Sequence, residues 1–244
     1  MKKLVARLAN RLGYEIVPHW RMDGLAMARR LRGIFAYHHI ERVIDVGANE
    51  GQFYNFLRWQ VGFTGQVVSF EPVPQLAARL RERSASDPSW TIHACALGSV
   101  SSEMTLNVTA MSVFSSFLQP NTDDPSTGGN VVVDTVRVPV RTLDEMFPDP
   151  TALRRTYLKL DSQGFDLEIA KGAGQVLAAI PALQTEMSFR PVYNNMPDYR
   201  QSLTAFEAHG FRVADFYLVT TTPEGVAYEL DCIFVRPVDP PPGA

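Results

Sequence analysis

Short unbroken apolar runs alternate along this chain with longer stretches whose apolar positions fall three and four apart, the pattern of buried strands alternating with helices. Leu4, Val5, Leu8 and Leu12 keep helical spacing until Gly13, and a second helical stretch covers residues 25–37. The run RVIDVG at 42–47 reads as a buried parallel strand, 53–59 as the helix behind it, 66–70 as a second strand, 72–83 as a helix opened by proline, and 91–97 as a third strand. Residues 101–108 and 131–140 alternate like half-buried strands around the polar stretch 119–130. That arrangement predicts a flap or hairpin over a site, spanning about 101–141. The strand–helix rhythm resumes with strands at 157–160 and 183–189 and helices at 165–173 and 199–209. Residues 211–219 and 226–235 then follow with no helix between them. Their link, 220–225, holds Pro223 and Gly225, so they form an antiparallel hairpin.

This order predicts a doubly wound α/β domain: a seven-strand Rossmann-like sheet with an antiparallel C-terminal hairpin, the class I methyltransferase variant of that fold. The expected organisation is an N-terminal helical extension over 1–40, one domain over 41–237, and a disordered proline-rich tail over 238–244. The chain has 244 residues, 45% hydrophobic and 20% charged, values of an ordinary globular protein. Its net charge of −3 argues against a nucleic-acid binder. Residues 1–42 nevertheless carry nine basic side chains against three acidic ones, a solvated helical face or a weak peripheral contact with an anionic membrane. No apolar run reaches the ~18 residues of a membrane span, and the start lacks a secretory signal. Cys95 and Cys232 form neither a CxxC pair nor a metal cluster, which points to a reducing cytoplasm.

The candidate chemistry gathers at strand ends. Asp45-Val46-Gly47-Ala48-Asn49-Glu50-Gly51 sits where the first strand passes into the first helix, and its glycines allow a tight turn and close approach to a ligand. Its spacing is not the dinucleotide GxGxxG, and Asp45 and Glu50 suit a cationic ligand better than a pyrophosphate. Glu71 ends the second strand, 26 residues after Asp45 and just ahead of Pro72, where a carboxylate takes both hydroxyls of a ribose or else faces a helix N-terminus. Asp161 and Glu186 end the fourth and fifth strands. Two such carboxylates suit the deprotonation of a hydroxyl or, alternatively, oxygen ligation of a divalent metal. His93 is a second candidate base, or a structural strand histidine. Arg190, Tyr193 and Asn194 follow the fifth strand in a polar, aromatic loop that suits sugar recognition, and Ser115 opens the flap where it can cross over a cofactor.

VIDVGANEG, SFEPVPQLAARL, ACALG, VPVRTLDEMF, YLKLDSQGFDLEIAKGA and TEMSFRPVYNNMPDY, in that order, closely resemble the FkbM-type family of S-adenosylmethionine-dependent methyltransferases, over about residues 43–235. The resemblance implies O-methylation of hydroxyls on sugars or natural products. It places Asp45, Gly47, Ala48, Asn49 and Gly51 on the cofactor loop, Glu71 and Pro72 at the ribose, and Cys95 and Ala96 near the adenine. The expected acceptor is a sugar hydroxyl in a small molecule, glycolipid or other glycan. A polyketide or other secondary-metabolite hydroxyl, or a cofactor-binding protein without catalysis, are the alternatives. A nicotinamide-dependent oxidoreductase is opposed by the missing GxGxxG. A divalent metal and a homo-oligomer both stay open at this point.

Overall fold

A computed structural model describes residues 24–122 and 131–237, with a few isolated positions between 9 and 22. The expected helix at 4–12, the tail at 238–244 and most of the polar stretch 119–130 fall largely or wholly outside these residues. The strands are β1 (Arg42–Val46), β2 (Gln66–Phe70), β3 (Trp90–His93), β4 (Ala96–Leu97), β5 (Ser102–Thr109), β6 (Val132–Arg141), β7 (Thr156–Leu160), β8 (Ala182–Ser188), β9 (Arg212–Thr221) and β10 (Ala227–Val235). The helices are α1 (Leu25–Tyr37), α2 (Gln52–Phe56), α3 (Pro74–Ser84), α4 (Leu143–Met146), α5 (Asp166–Lys171), α6 (Gly174–Ala179) and α7 (Tyr199–Ala208).

Seven strands form one sheet in the order β3-β2-β1-β7-β8-β10-β9. The first five run parallel, and β10 runs antiparallel to both β8 and β9. Alternation along each central strand divides the core. Ile44, Val46, Leu158, Leu160 and Leu183 pack with α5, α6 and α7 on one face. Val43, Val67, Tyr157 and Ala182 pack with α1, Phe53 and Leu57 on the other. Strands covered on both faces are apolar at most positions, which is why β1, β2 and β7 read as nearly continuous apolar runs. The chain order reverses at β1, so its C-terminal end and that of β7 flank the crevice where such sheets bind ligands.

The structure corrects three expectations. The third strand stops at His93; Ala96 and Leu97 leave the main sheet to pair in parallel with Val140 and Arg141, building a second, three-stranded sheet β4-β6-β5. The predicted helix at 53–59 is α-helical only to Phe56 and continues as a π-turn over Leu57–Val61. The helix at 165–173 breaks at Gly172, giving α5 and α6. At that glycine a side chain would meet the Gly98 carbonyl oxygen at 2.2 Å. Helix α1 packs on the sheet, with Ala28 and Leu31 fully buried. Among the described residues, no helix is long and apolar enough to cross a membrane.

Candidate active site

Beyond the ends of β1, β2, β7 and β8 lies a cavity of about 360 Å³, within the usual range for small-molecule sites. The loop after β1 forms its floor. Gly47 (φ +79°) and Asn49 (φ +47°) both adopt left-handed backbone, and the Gly47 and Ala48 amides donate to the Phe70 carbonyl. Gly47 presses against β7 so closely that a Cβ there would lie 1.9 Å from the Asp161 carbonyl oxygen.

Glu71 is 4% exposed and lines the cavity. Its Oε2 accepts from the Asn49 amide at 2.7 Å and its Oε1 from the Val73 amide at 2.8 Å. Burial pushes its carboxyl up to about 7, against the pull of those two amides. Each oxygen keeps a free lone pair, so the group is completed by two further donors.

Alternation of the parallel strands sets a polar row beneath this floor. The register aligns Ser69, Asp45, Lys159 and Gln184 across β2, β1, β7 and β8. Ser69 Oγ donates to Asp45 Oδ2 at 3.1 Å. Lys159 Nζ stands 3.5 Å from Asp45 Oδ1 and 2.9 Å from Asp161 Oδ2. Burial favours the neutral amine, but the carboxylates of Asp161 and Asp45 outweigh it and hold Lys159 charged. Asp45 is fully buried and does not line the cavity. It acts from underneath, anchoring the lysine that anchors Asp161.

Asp161 and Glu186 both face the cavity, and one side chain joins them. Gln163 Nε2 donates to Asp161 Oδ1 at 3.0 Å and to Glu186 Oε2 at 2.9 Å. Burial, then the charges of Asp161, Glu229, Asp231 and Asp166, push Glu186 well above the usual carboxylate range. The β8–β10 register sets Asp231 directly opposite Glu186 and Glu229 opposite Ser188. Glu229 also lines the cavity and accepts from Thr220 Oγ1 of β9 at 3.2 Å. Below Asp161, the buried Asp166 accepts from the Ser162 amide at 2.8 Å and from Thr185 Oγ1 at 2.6 Å, fixing the loop to β8.

The chain between β5 and the polar stretch covers the cavity. Ser112 Oγ donates to Asn49 Oδ1 at 3.2 Å, Ser116 Oγ donates to the Gln163 carbonyl at 2.7 Å, and the Tyr193 hydroxyl reaches the Phe114 carbonyl at 2.8 Å. Ser115, Pro72, Cys95, Ala96, Ala48 and Asn49 all line the cavity. Gly51 lies behind the loop, near Leu80 and Trp90.

Four further expected contacts are elsewhere. His93 is stacked on Phe70, ring centroids 5.0 Å apart, and is not on the cavity wall. Arg190 and Asn194 are exposed and also off the wall. Tyr193 is buried and touches the site only through Gln163 and Phe114. Among the described residues, no group of three or more His, Cys, Asp or Glu side chains is placed to hold a metal ion. The position between Asp161 and Glu186 is taken by the Gln163 amide. Lys159, Gln163, Thr220 and Glu229 escaped the sequence reading. A lysine inside the apolar run YLKL and a glutamate inside AYELDCIFV were the available signals.

The methyltransferase FkbM domain matches residues 45–213. The chain belongs to that family. The fold agrees: methyltransferase FkbM from Methylobacillus flagellatus KT superposes with a TM-score of 0.50 at 18% identity, over 79% of this chain and 43% of that one. The chain thus spans less than half the length of that relative. Magnesium protoporphyrin IX methyltransferase from Synechocystis PCC 6803, solved with bound SAM, gives 0.45 at 11% identity over 97% of each chain. A sarcosine dimethylglycine methyltransferase from Galdieria sulphuraria gives 0.48 at 10%, over 88% and 87%. A comparison with curated proteins finds no match.

Proposed function

We propose that this FkbM methyltransferase transfers a methyl group from S-adenosylmethionine to a hydroxyl of a sugar, carried on a small molecule or a glycolipid. The observation that carries this reading is a single cavity joining the Gly47–Asn49 loop and Glu71 at one end to Asp161, Glu186 and Glu229 at the other. The residues fit the cofactor: Glu71 needs two donors, and the ribose diol offers two. Leu97, Leu106 and Ile169 give an apolar slot for a purine. When bound, the cofactor supplies the electrophilic methyl. The chain's residues then have little to do beyond alignment and proton removal. Lys159 fixes Asp161 through Oδ2, leaving Oδ1, aimed along the Gln163 amide, to receive the hydroxyl proton. The covering segment Ser112–Phe114 keeps water from the reacting atoms.

The acceptor end favours a neutral, donor-rich group. Its polar side chains include Asp161, Glu186, Glu229, Thr220, Ser162 and Gln163. Lys159, the cation on this wall, is engaged by Asp45 and Asp161. A phosphate or carboxylate would face three acidic side chains there and a lysine already paired to two carboxylates. Val113 and Val219, 40% and 45% exposed, line the cavity mouth and suit an acyl-bearing acceptor. A panel of neutral sugars, phosphorylated sugars, uronic acids and polyketide alcohols, assayed with labelled S-adenosylmethionine, tests this. Labelling of neutral sugars alone is expected. Labelling of the polyketide alcohols alone moves the substrate to the secondary-metabolite class, and cofactor binding without labelling of any compound leaves a binding protein.

The Glu71 geometry makes a separate prediction. An ionised Glu71 accepts from both ribose hydroxyls, whereas the protonated form loses one acceptor. Because burial raises this group to about 7, affinity for S-adenosylhomocysteine should rise from pH 6 to pH 8, by up to about tenfold. Glu71→Ala should weaken binding by roughly 1.5–3 kcal/mol at pH 8 and flatten the pH dependence. Calorimetry at both pH values reads both effects, and unchanged affinity in a folded variant overturns the assignment.

A further inference from the structure

The backbone carbonyl and the side-chain amide of Gln163 are both engaged. Its φ is +53°, a conformation that non-glycine residues adopt uncommonly. Its carbonyl accepts from Ser116 Oγ of the covering segment at 2.7 Å. Its Oε1 accepts from the Tyr193 hydroxyl at 2.8 Å, and its Nε2 donates to both Asp161 and Glu186. Burial, then the charges of Glu186, Glu229 and Asp161, hold the Tyr193 phenol above its usual range, so it stays a donor. The Asp161 carboxylate fixes the sense of the amide: an acceptor there needs the nitrogen, which leaves the oxygen toward Tyr193, whose single proton is shared between it and the Phe114 carbonyl.

We propose that Gln163 is the positioning residue of the acceptor end: its amide holds Asp161 and Glu186 at the spacing a hydroxyl needs. Lys159 supplies a donor to Asp161. Among the described residues, only Gln163 is bonded to both. Without this donor Glu186 loses its link to Asp161, and Asp161 is held by Lys159 alone. The chain around the residue supports a fixed role. Gly164 follows at φ +85°, where a Cβ would press on Met196 and Leu118 at 3.0–3.1 Å, so the turn that presents Gln163 has one backbone path.

The proposal rests on the reading of Asp161 and Glu186 as the acceptor-facing pair, and it is tested on the full chain in two ways. Gln163→Met keeps the length and removes the donors. Gln163→Asn keeps the amide but stops one methylene short, and asparagine tolerates left-handed backbone well, so this variant should fold at least as well as the wild type. With a sugar that the panel shows to be methylated, both variants should lower kcat about 10–100-fold, the scale of a misplaced reacting group. The KM for S-adenosylmethionine should stay within about twofold, since Glu71 and the Gly47 loop are untouched. The second measurement needs no acceptor: carbon-13 NMR of the glutamate carboxyls, with the Glu186 signal assigned by its loss in Glu186→Gln. Loss of an N–H donor to a carboxylate raises its titration midpoint. The Glu186 midpoint should therefore move up by half a unit or more in Gln163→Met, against the background of Asp161, Glu229, Asp231, Asp166 and Lys159. Tyr193→Phe should move it the same way by less. An unmoved midpoint, or a kcat loss no larger than the loss of folded protein in a melting curve, overturns the proposal. If no sugar is methylated, the proposed function fails while the NMR result still decides the role of Gln163.

Discussion

Asp161→Asn is expected to lower turnover about 10²–10⁴-fold, the range for removing a general base, while leaving cofactor affinity largely intact. The geometry accounts for both halves. Oδ2 accepts from the Lys159 ammonium and Oδ1 from the Gln163 amide. An asparagine must turn its own NH₂ group toward one of these donors, so one contact becomes a donor facing a donor and the amide oxygen that remains is too weakly basic to take a proton. Glu71 and the Gly47–Asn49 loop keep their own bonds, which is why binding of S-adenosylhomocysteine should survive. Initial rates on the methylated sugar, with calorimetry and a melting curve on the same variant, make the comparison. Chelator provides the control for a bound metal: with Gln163 between the two carboxylates, wild-type rate should be insensitive to it. A wild-type rate in folded Asp161→Asn would mean that Asp161 is structural and that another group takes the proton.

Gly47→Ala is expected to cost about 2–5 kcal/mol of stability, a left-handed backbone penalty of about 1–2 kcal/mol added to the strain of forcing a methyl group into a filled space. The obstacle is the Asp161 backbone carbonyl, 1.9 Å from where the methyl would sit, and backbone cannot rotate away as a side chain can. Relief requires the ends of β1 and β7 to separate, so cofactor binding and the placement of Asp161 fail together. Gly51→Ala is the matched comparison. Its φ is also +80°, but the nearest atoms are side-chain ends of Arg83, Leu80 and Trp90 at 3.1–3.2 Å. It should lose only about 1–2 kcal/mol. Urea denaturation distinguishes the two, and equal losses at Gly47 and Gly51 would contradict the contact with Asp161.

The legible parts of the chain were those that a local pattern specifies. β1, β2, β7 and the C-terminal hairpin announced themselves as apolar runs, and the glycine spacing of the first turn and Glu71 at the end of β2 marked the end of the sheet that carries the cavity. What stayed hidden depends on strands meeting at a distance. Ala94 and Cys95 carry no mark that the chain there leaves one sheet for another. His93 ends a strand, as Glu71 and Asp161 do, but its neighbour across the register is Phe70, and stacking on that ring takes it off the wall. The π-turn at Leu57–Val61 has the same apolar spacing as the helix it continues. Asp45 looked like a cofactor contact because it shares the loop; the two-residue alternation of β1 turns it under the sheet toward Lys159. Gln163 had no sequence signal at all, since its importance comes from Tyr193, thirty residues on, and Glu186, on another strand.

The order of the sheet has a consequence for synthesis. β10, the last strand made, lies between β8 and β9. Until residues 227–235 leave the ribosome, β8 has an open edge and β9 has no partner in the sheet, while the parallel half from β3 to β8 can already assemble. The acceptor wall, which needs Glu229 of β10, is therefore the final part of the cavity to exist. Long-range pairing of this kind is slow and exposes strand edges while it waits. A chain shortened by even the ten residues from 226 to 235 would keep the cofactor loop in place and lose the wall opposite it, with β8 left as an exposed apolar edge prone to pair with another molecule.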